Sequence, residues 1–224
     1  MEANVLGCSP SRAESIPAKI PMKTNAMASI KSKTILTKDY IMLLLRDIYY
    51  VNKNLDVCRG DILIDSESCR IEKLGKNLPA AGCEKIEGRG MLAMPAFFNM
   101  HTHSPMTLLR NVAEGMKLHD WLEKVCWPAE KKMGERDIYY GTLAACIEML
   151  RSGTACFNDM YFHVEAIARA AEKIGMRASI GYGMIDRGDE EKRNNELNGC
   201  GRILKKYSDD KSGLLTANVA PHSI

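Results

Sequence analysis

The segment that decides the fold is GRGMLAMPAFFNMHTH, residues 88–103, an apolar run that ends in two histidines one residue apart. Such a run predicts a strand buried on both faces of a parallel sheet. Side chains alternate along a strand, so His101 and His103 are expected to project to one side, where both imidazoles can reach one cation. The carboxyl end of a parallel strand is also where α/β folds place their active sites. The residues alone leave a second interpretation open, in which one histidine is packed and the other is solvated.

Beyond this segment, strand-like and helical patterns alternate to residue 223. Strands are predicted at 153–162, 176–185 and 214–223, and a charged helix is predicted from about 189 to 207. The order βαβαβαβ implies a parallel sheet covered by helices. That sheet is either doubly wound or the first half of a (β/α)8 barrel.

Two further helices show a clear apolar face at a period of about 3.6 residues. Ile138, Ala145, Cys146 and Met149 share one face of the first helix. The apolar face of the second helix consists of Val164, Ile167, Ala168 and Ala171. Gly175 is well placed to end the second helix. These faces are expected to pack on the parallel sheet.

The chain before residue 91 is predicted to have a different organisation. Residues 1–34 contain small residues, prolines and serines with little apolar periodicity, which predicts a disordered leader. Residues 35–90 show short strand patterns separated by turn-forming residues, which is typical of a small β-sheet layer. Residues 91–224 then form the α/β part.

Composition excludes several classes of protein. The chain has 224 residues, of which 46% are hydrophobic and 26% are charged, and no apolar stretch approaches the ~18 residues of a membrane span. The net charge of +3 arises in residues 1–34, so the neutral remainder argues against a nucleic-acid partner. The eight cysteines form no CxxC pair and no signal peptide precedes them, which favours reduced thiols and a cytoplasmic location.

The residues from about 35 to the end resemble the amidohydrolase superfamily. Within it, the motifs PMTLLR, WPAE, DMYFH, GMRA and APHS, which follow HTH in order, are similar to those of the S-adenosylhomocysteine, 5'-methylthioadenosine and 5'-deoxyadenosine deaminases. This resemblance implies a small β-sandwich, of which residues 35–90 form the N-terminal part, and a (β/α)8 barrel, of which residues 91–224 form the first half. It also implies one Zn²⁺, with Fe²⁺ as the alternative.

The resemblance assigns roles to individual residues. It implies that His101 and His103 are the first two metal ligands, and that His222 contacts the substrate beside the metal. Trp121 would lie against the nucleoside or its 5' substituent, and Glu130 would accept hydrogen bonds from the ribose hydroxyls. From the residues alone, Trp121 could equally anchor an amphipathic helix and Glu130 could be a solvated charge.

Four other residues at or after strand ends are weighed beside these. Asp159 and His163 flank the end of a second strand, and we expect both to lie outside the direct ligands of the metal. Relatives that act on S-adenosylhomocysteine tend to present arginines after the third strand for the substrate's carboxylate. Arg187 and Arg193 follow that strand here, and Arg193 is the better placed of the two.

The implied site is incomplete within this chain. A catalytic zinc ion needs about three protein ligands and an open position for water. The resemblance places the remaining ligands and the catalytic proton-transfer groups on later strands, beyond residue 224, so no catalytic residue is assigned. A full barrel takes ~250 residues. We therefore hypothesise a truncated chain that cannot turn over substrate alone.

The implied reaction is hydrolytic deamination of an adenosine-type nucleoside to its inosine analogue and ammonia. Two alternatives stay open. One is another amidohydrolase of a heteroaromatic ring, such as a guanine deaminase or an s-triazine hydrolase. The other is a non-catalytic half-barrel that associates with itself, so the sequence allows a homo-oligomer.

Overall fold

The computed structural model describes residues 42–223, which divide into two compact units between Pro95 and Ala96. This division falls five residues after the predicted boundary at residue 90. The predicted leader at residues 1–34 lies outside the described part of the chain.

The first unit is one mixed sheet. Its strands are β1 (Met42–Val51), β2 (Val57–Asp65), β3 (Arg70–Gly75), β4 (Cys83–Glu87) and β5 (Leu92–Ala93). Their order is β3-β2-β1-β4, with β5 paired to β1. Leu44, Ile48 and Ile62 are buried. The buried Asp61 carboxylate accepts hydrogen bonds from Arg46, from the Asp47 amide and from the Leu78 amide.

The second unit is a parallel sheet with helices between its strands. The strands are β6 (Phe97–Thr102), β7 (Thr154–Tyr161), β8 (Arg177–Ile185) and β9 (Leu215–Ser223), and all three pairings are parallel. Their order in the sheet follows the chain without reversal. A doubly wound fold reverses its strand order at a switch point, whereas a barrel adds strands in sequence. The observed order therefore favours the half-barrel.

The connections in this unit are helical. A 3₁₀ helix (Ser104–Leu109) follows β6, and α1 (Leu118–Trp121), a π-helical turn (Leu122–Cys126) and α2 (Trp127–Glu130) then run without a break. The longer helices are α3 (Glu135–Arg151), α4 (Val164–Ile174) and α5 (Glu190–Tyr207). No helix within residues 42–223 combines the length and apolarity that crossing a bilayer requires.

The predicted apolar helix faces form the core of the second unit. In α3, Ile138 and Cys146 are fully buried. All four predicted core positions of α4 are buried as well: Val164, Ile167, Ala168 and Ala171. Gly175 ends α4 in the left-handed conformation with a φ of 75°, as predicted. Asp189 caps α5 by accepting a hydrogen bond from the Lys192 amide.

The prediction of one strand buried on both faces at residues 88–103 is wrong for the described structure. The run divides around Pro95 into β5 and β6, which belong to different units. Phe97, Phe98 and Met100 are 56%, 66% and 71% exposed. The reason is that, among the described strands, β6 pairs with β7 alone and lies at the edge of its sheet.

Candidate active site

The two histidines lie side by side at the carboxyl end of β6. Their ring centroids are 5.1 Å apart in an edge-to-face arrangement, with 80° between the ring planes. His101 is exposed and His103 is half-buried. The alternation along β6 therefore places both imidazoles on one side of the strand, at a separation from which two nitrogens can face a common ion.

His103 is held in one orientation by the neighbouring strand. Its Nδ1 lies 2.7 Å from the backbone carbonyl oxygen of Met160 in β7. A carbonyl oxygen only accepts, so Nδ1 carries the proton, and the lone pair of the neutral ring lies on Nε2. A backbone carbonyl that fixes the tautomer in this way is a common partner of histidines that bind metals.

Asp159 lies behind the histidine pair and is not exposed to solvent. Its carboxylate accepts from the Ser104 amide at 3.2 Å and from the Ser104 hydroxyl. Burial raises the pKa of Asp159 to about 6, and the hydrogen bonds from Ser104 partly oppose that rise. The other residue weighed at this strand end, His163, is exposed and adopts a left-handed conformation before α4.

Glu130 is bound by a tyrosine that sequence reasoning did not single out. The Tyr161 hydroxyl at the end of β7 donates to Glu130 Oε1 at 2.6 Å. The Tyr161 ring centroid lies 6.1 Å from that of His103. Cys126, one turn before Glu130, is buried, and burial together with Glu130 raises its pKa to about 11. Tyr161 is the last residue of β7, and His103 directly follows β6. This shared position at a strand end is the sequence signal that could have identified Tyr161.

Trp121 lies at the end of α1 and is half-buried. Its indole Nε1 donates to the backbone carbonyl oxygen of Val112 at 3.3 Å. This bond ties the helical segment that carries Glu130 to the loop after the 3₁₀ helix. The sequence left two roles open for Trp121, a helix anchor or a contact with the nucleoside. This hydrogen bond is a helix-anchoring contact.

The arginines after β8 already have partners. Arg193 Nε donates to Asp186 Oδ2 at 2.5 Å, and the Asp186 side chain is only 6% exposed. The Gly188 amide and then Arg193 lower the pKa of Asp186 below its usual range. Arg187 lies over the ring of Trp127 in α2 at 5.2 Å. The arginine chosen from the sequence is thus the one bound to a carboxylate of the same chain.

His222 lies near the carboxyl end of β9 and is exposed. The flanking positions pair with β8, since Met184 is opposite Pro221 and Ile185 is opposite Ser223. Strands β7 and β8 lie between β9 and β6, so three interstrand steps of about 4.8 Å separate His222 from the histidine pair along the sheet. The structure brings His103, Tyr161 and Glu130 together and leaves His222 at the far edge.

The donor set fits two of the ligands of a zinc ion. Imidazole nitrogens are among the ligands that zinc prefers, and the fixed tautomer of His103 leaves Nε2 available. Within residues 42–223, no three histidine, cysteine, aspartate or glutamate side chains lie close enough together to hold a metal. Asp159 accepts hydrogen bonds from Ser104, and its place outside the direct ligands stays a prediction.

Comparison with known sequences relates the chain to one family. The sequence profile of the amidohydrolase family matches residues 92–223. A 5'-deoxyadenosine deaminase from Methanocaldococcus jannaschii is 41% identical over 184 residues. A 5-methylthioadenosine/S-adenosylhomocysteine deaminase from Thermococcus sibiricus is 40% identical over 182 residues. Each match covers 81% of this chain and 42% of the relative, so the chain spans less than half the length of these curated relatives.

Solved structures confirm the predicted partial barrel. An adenosine deaminase from Xanthomonas campestris, with bound zinc, matches with a TM-score of 0.66 at 28% identity, over 80% of this chain and 42% of that chain. A triazine hydrolase from Arthrobacter aurescens matches with a TM-score of 0.70 at 23% identity, over 82% and 47%. The second likeness concerns the fold alone.

Proposed function

The chain belongs to the amidohydrolase family, and we propose on this basis that it supplies two metal ligands and part of the substrate pocket of a hydrolytic deaminase for adenosine-type nucleosides. The observation that carries the proposal is the pair of adjacent imidazoles at the end of β6, with His103 fixed by the Met160 carbonyl. The relatives named as 5'-deoxyadenosine and 5-methylthioadenosine/S-adenosylhomocysteine deaminases support the substrate class.

In this proposal His101 and His103 hold a zinc ion through their imidazole nitrogens. A bound zinc ion supplies Lewis acidity and lowers the pKa of water toward ~7, which makes hydroxide available at neutral pH. The reaction consumes one water, replaces the amino group at C6 of the adenine ring by oxygen, and releases ammonia. The Met160 carbonyl keeps the Nδ1 proton of His103 in place throughout.

Glu130 is the proposed ribose-binding group. Its Oε1 accepts from the hydroxyl of the buried Tyr161, and in this proposal Oε2 is the oxygen that accepts from the ligand. A vicinal pair of ribose hydroxyls can donate to that oxygen. Trp121 in the same helical segment offers an indole face for the nucleoside or its 5' substituent, and His222 would contact the substrate from the end of β9.

The arginines favour a substrate without a carboxylate. Arg193, proposed from sequence as the partner of a substrate carboxylate, is bound to Asp186 of the same chain. Capture of a substrate carboxylate would require that ion pair to open. We therefore favour 5'-deoxyadenosine and 5'-methylthioadenosine over S-adenosylhomocysteine.

Zinc binding by the purified 224-residue chain tests the metal ligands. Titration with Zn²⁺ at neutral pH should detect weak binding of one ion through His101 and His103, because two imidazoles supply only part of the roughly three protein ligands of a catalytic zinc site. His101→Ala or His103→Ala should abolish that binding. His119→Ala is the matched control, because its side chain is 79% exposed and pairs with Glu123 on the helix. Zinc affinity that survives in the double variant H101A/H103A would refute the proposed ligands.

A further inference from the structure

A cluster of buried polar side chains fixes the backbone directly after His103. The cluster consists of Asp159 in β7, Ser104 at the start of the 3₁₀ helix and Thr142 in α3, which are 1%, 2% and 0% exposed. A carboxylate at such a depth is costly unless its oxygens are hydrogen-bonded. The hydrogen bonds from Ser104 supply that compensation.

Ser104 provides the three hydrogen bonds that Asp159 accepts from this loop, two from its amide and one from its hydroxyl. The Ser104 amide lies 3.3 Å from Oδ1 and 3.2 Å from Oδ2, and its hydroxyl donates to Oδ2. The hydroxyl oxygens of Ser104 and Thr142 are 3.2 Å apart. Both the backbone and the side chain of Ser104 are thus fixed by one carboxylate.

These bonds affect His103 because β6 and the residues after it are joined to β7 at consecutive positions, Thr102, His103 and Ser104. Thr102 is paired with Asp159 in the sheet. The next residue of β7, Met160, accepts from the His103 ring, while Asp159 accepts from Ser104. A shift of Ser104 would move the backbone of His103 and would change the 2.7 Å contact that sets its tautomer.

Helix α3 closes the cluster from the opposite side. A Cβ atom at Gly141 would lie 2.6 Å from the Pro105 carbonyl oxygen and 3.0 Å from the Pro105 Cα. The absence of a side chain at Gly141 is what lets α3 approach the backbone directly after Ser104. The segment is therefore confined between β7 and α3.

We propose that Asp159 is a positioning residue for the histidine pair: through Ser104 it fixes the backbone at the end of β6, so that His103 keeps its Nδ1 proton on the Met160 carbonyl and presents Nε2 to the metal. This inference rests on the proposed metal role of His101 and His103. It assigns no direct metal contact to Asp159.

The test compares Ser104→Ala, Ser104→Thr and Asp159→Asn in the full 224-residue chain. The first readout is the fraction of the Nδ1–H tautomer of His103, from the nitrogen chemical shifts of the metal-free chain at about pH 8. The second readout is Zn²⁺ affinity. Ser104→Ala should lower the tautomer fraction and reduce Zn²⁺ affinity by about 10-fold or more. Asp159→Asn, which has one acceptor oxygen in place of two, should act in the same direction. Ser104→Thr keeps the hydroxyl group, so both readouts should stay at the values of the unmodified chain.

Ile138→Val is the control for a general loss of stability, because Ile138 is fully buried in the same unit and has no polar contact to lose. The inference is overturned if Ser104→Ala leaves both readouts unchanged, or if Ile138→Val shifts them equally. The proposed metal ligands fail separately, if the double variant H101A/H103A keeps the Zn²⁺ affinity of the unmodified chain, and the His103 tautomer would still decide the role of Asp159.

Discussion

Three polar side chains near the carboxyl edge of the parallel sheet, those of His103, Asp159 and Glu130, are held by hydrogen bonds. His103 bonds to a backbone carbonyl of β7, and Asp159 of the same strand bonds to Ser104. Glu130 accepts from Tyr161. These bonds fix side-chain orientation before any ligand arrives, which is the arrangement that a binding or catalytic site needs.

The ion pair between Asp186 and Arg193, which follows β8, predicts that the stability of the folded chain depends on pH. The pKa of Asp186 in the folded chain is lower than its ordinary value of 3.8, because the Gly188 amide and Arg193 stabilise its charged form. Below about pH 4 the unfolded chain therefore binds more protons than the folded chain, and this contribution to stability is lost as the pH falls through the folded pKa. Asp186→Asn should lower the urea midpoint at neutral pH, and the difference from the unmodified chain should shrink at low pH.

Arg193→Gln serves as the comparison for this prediction. It removes one cause of the lowered pKa and leaves the larger one, the Gly188 amide, in place. The variant should therefore keep part of the pH dependence. A midpoint difference for Asp186→Asn that is constant with pH would contradict the assignment.

At the scale of elements, the helices differ in how closely they approach their neighbours. Helix α4 packs through an alanine-rich apolar face, whereas α3 also makes a backbone approach to the 3₁₀ helix at Gly141. A helical glycine usually costs stability relative to alanine, so its presence at such a contact has a packing reason.

Two glycine substitutions test that reason. Gly141→Ala should destabilise the chain by about 1–3 kcal/mol, because the new Cβ would lie 2.6 Å from the Pro105 carbonyl oxygen and would force the segments apart. Gly201→Ala in α5 is the matched control, since no atom lies within 4 Å of the new Cβ. It should stabilise the chain by about 0.5–1 kcal/mol. Urea denaturation measures both, and equal effects of the two substitutions would refute the packing argument.

At the scale of the whole molecule, the second unit carries four consecutive parallel strands of a barrel fold. The histidine pair lies at the carboxyl end of the first of them, the predicted arginine follows the third, and His222 lies near the carboxyl end of the fourth. The chain spans 42% of the length of its relatives, and the described residues present two candidate zinc ligands. A test of the reaction must therefore supply a complete set of ligands.

A chimera provides that set. Residues 92–223 of this chain would replace the matching segment of the Methanocaldococcus jannaschii relative, which is 41% identical. The zinc-loaded chimera should release ammonia from 5'-deoxyadenosine and 5'-methylthioadenosine, and only weakly from S-adenosylhomocysteine. Guanine and an s-triazine should not be substrates.

The same chimera with His103→Ala should lose both zinc and ammonia release, whereas His119→Ala should keep both. A chimera that folds, as judged by circular dichroism, and retains zinc but deaminates none of the three nucleosides would refute the proposed substrate class.

The sequence by itself determined the order of elements in the second unit, the helix faces and the position of the two histidines at the end of β6. The local signals are the period of the apolar residues, the glycine that ends α4 and the HTH triplet. Each can be recognised along the chain without knowledge of the tertiary contacts. The resemblance to the nucleoside deaminases supplied the family, which the comparisons confirm.

Only the tertiary structure decided which side chains meet. The exposure of Phe98 follows from the position of β6 at the edge of its sheet, and the apolar run alone could not show that. The contacts of Tyr161 with Glu130, of Asp159 with Ser104 and of Arg193 with Asp186 join different segments of the chain. The physical reason is that a hydrogen bond depends on distances of about 3 Å, and the register of the strands and the approach of α3 set those distances.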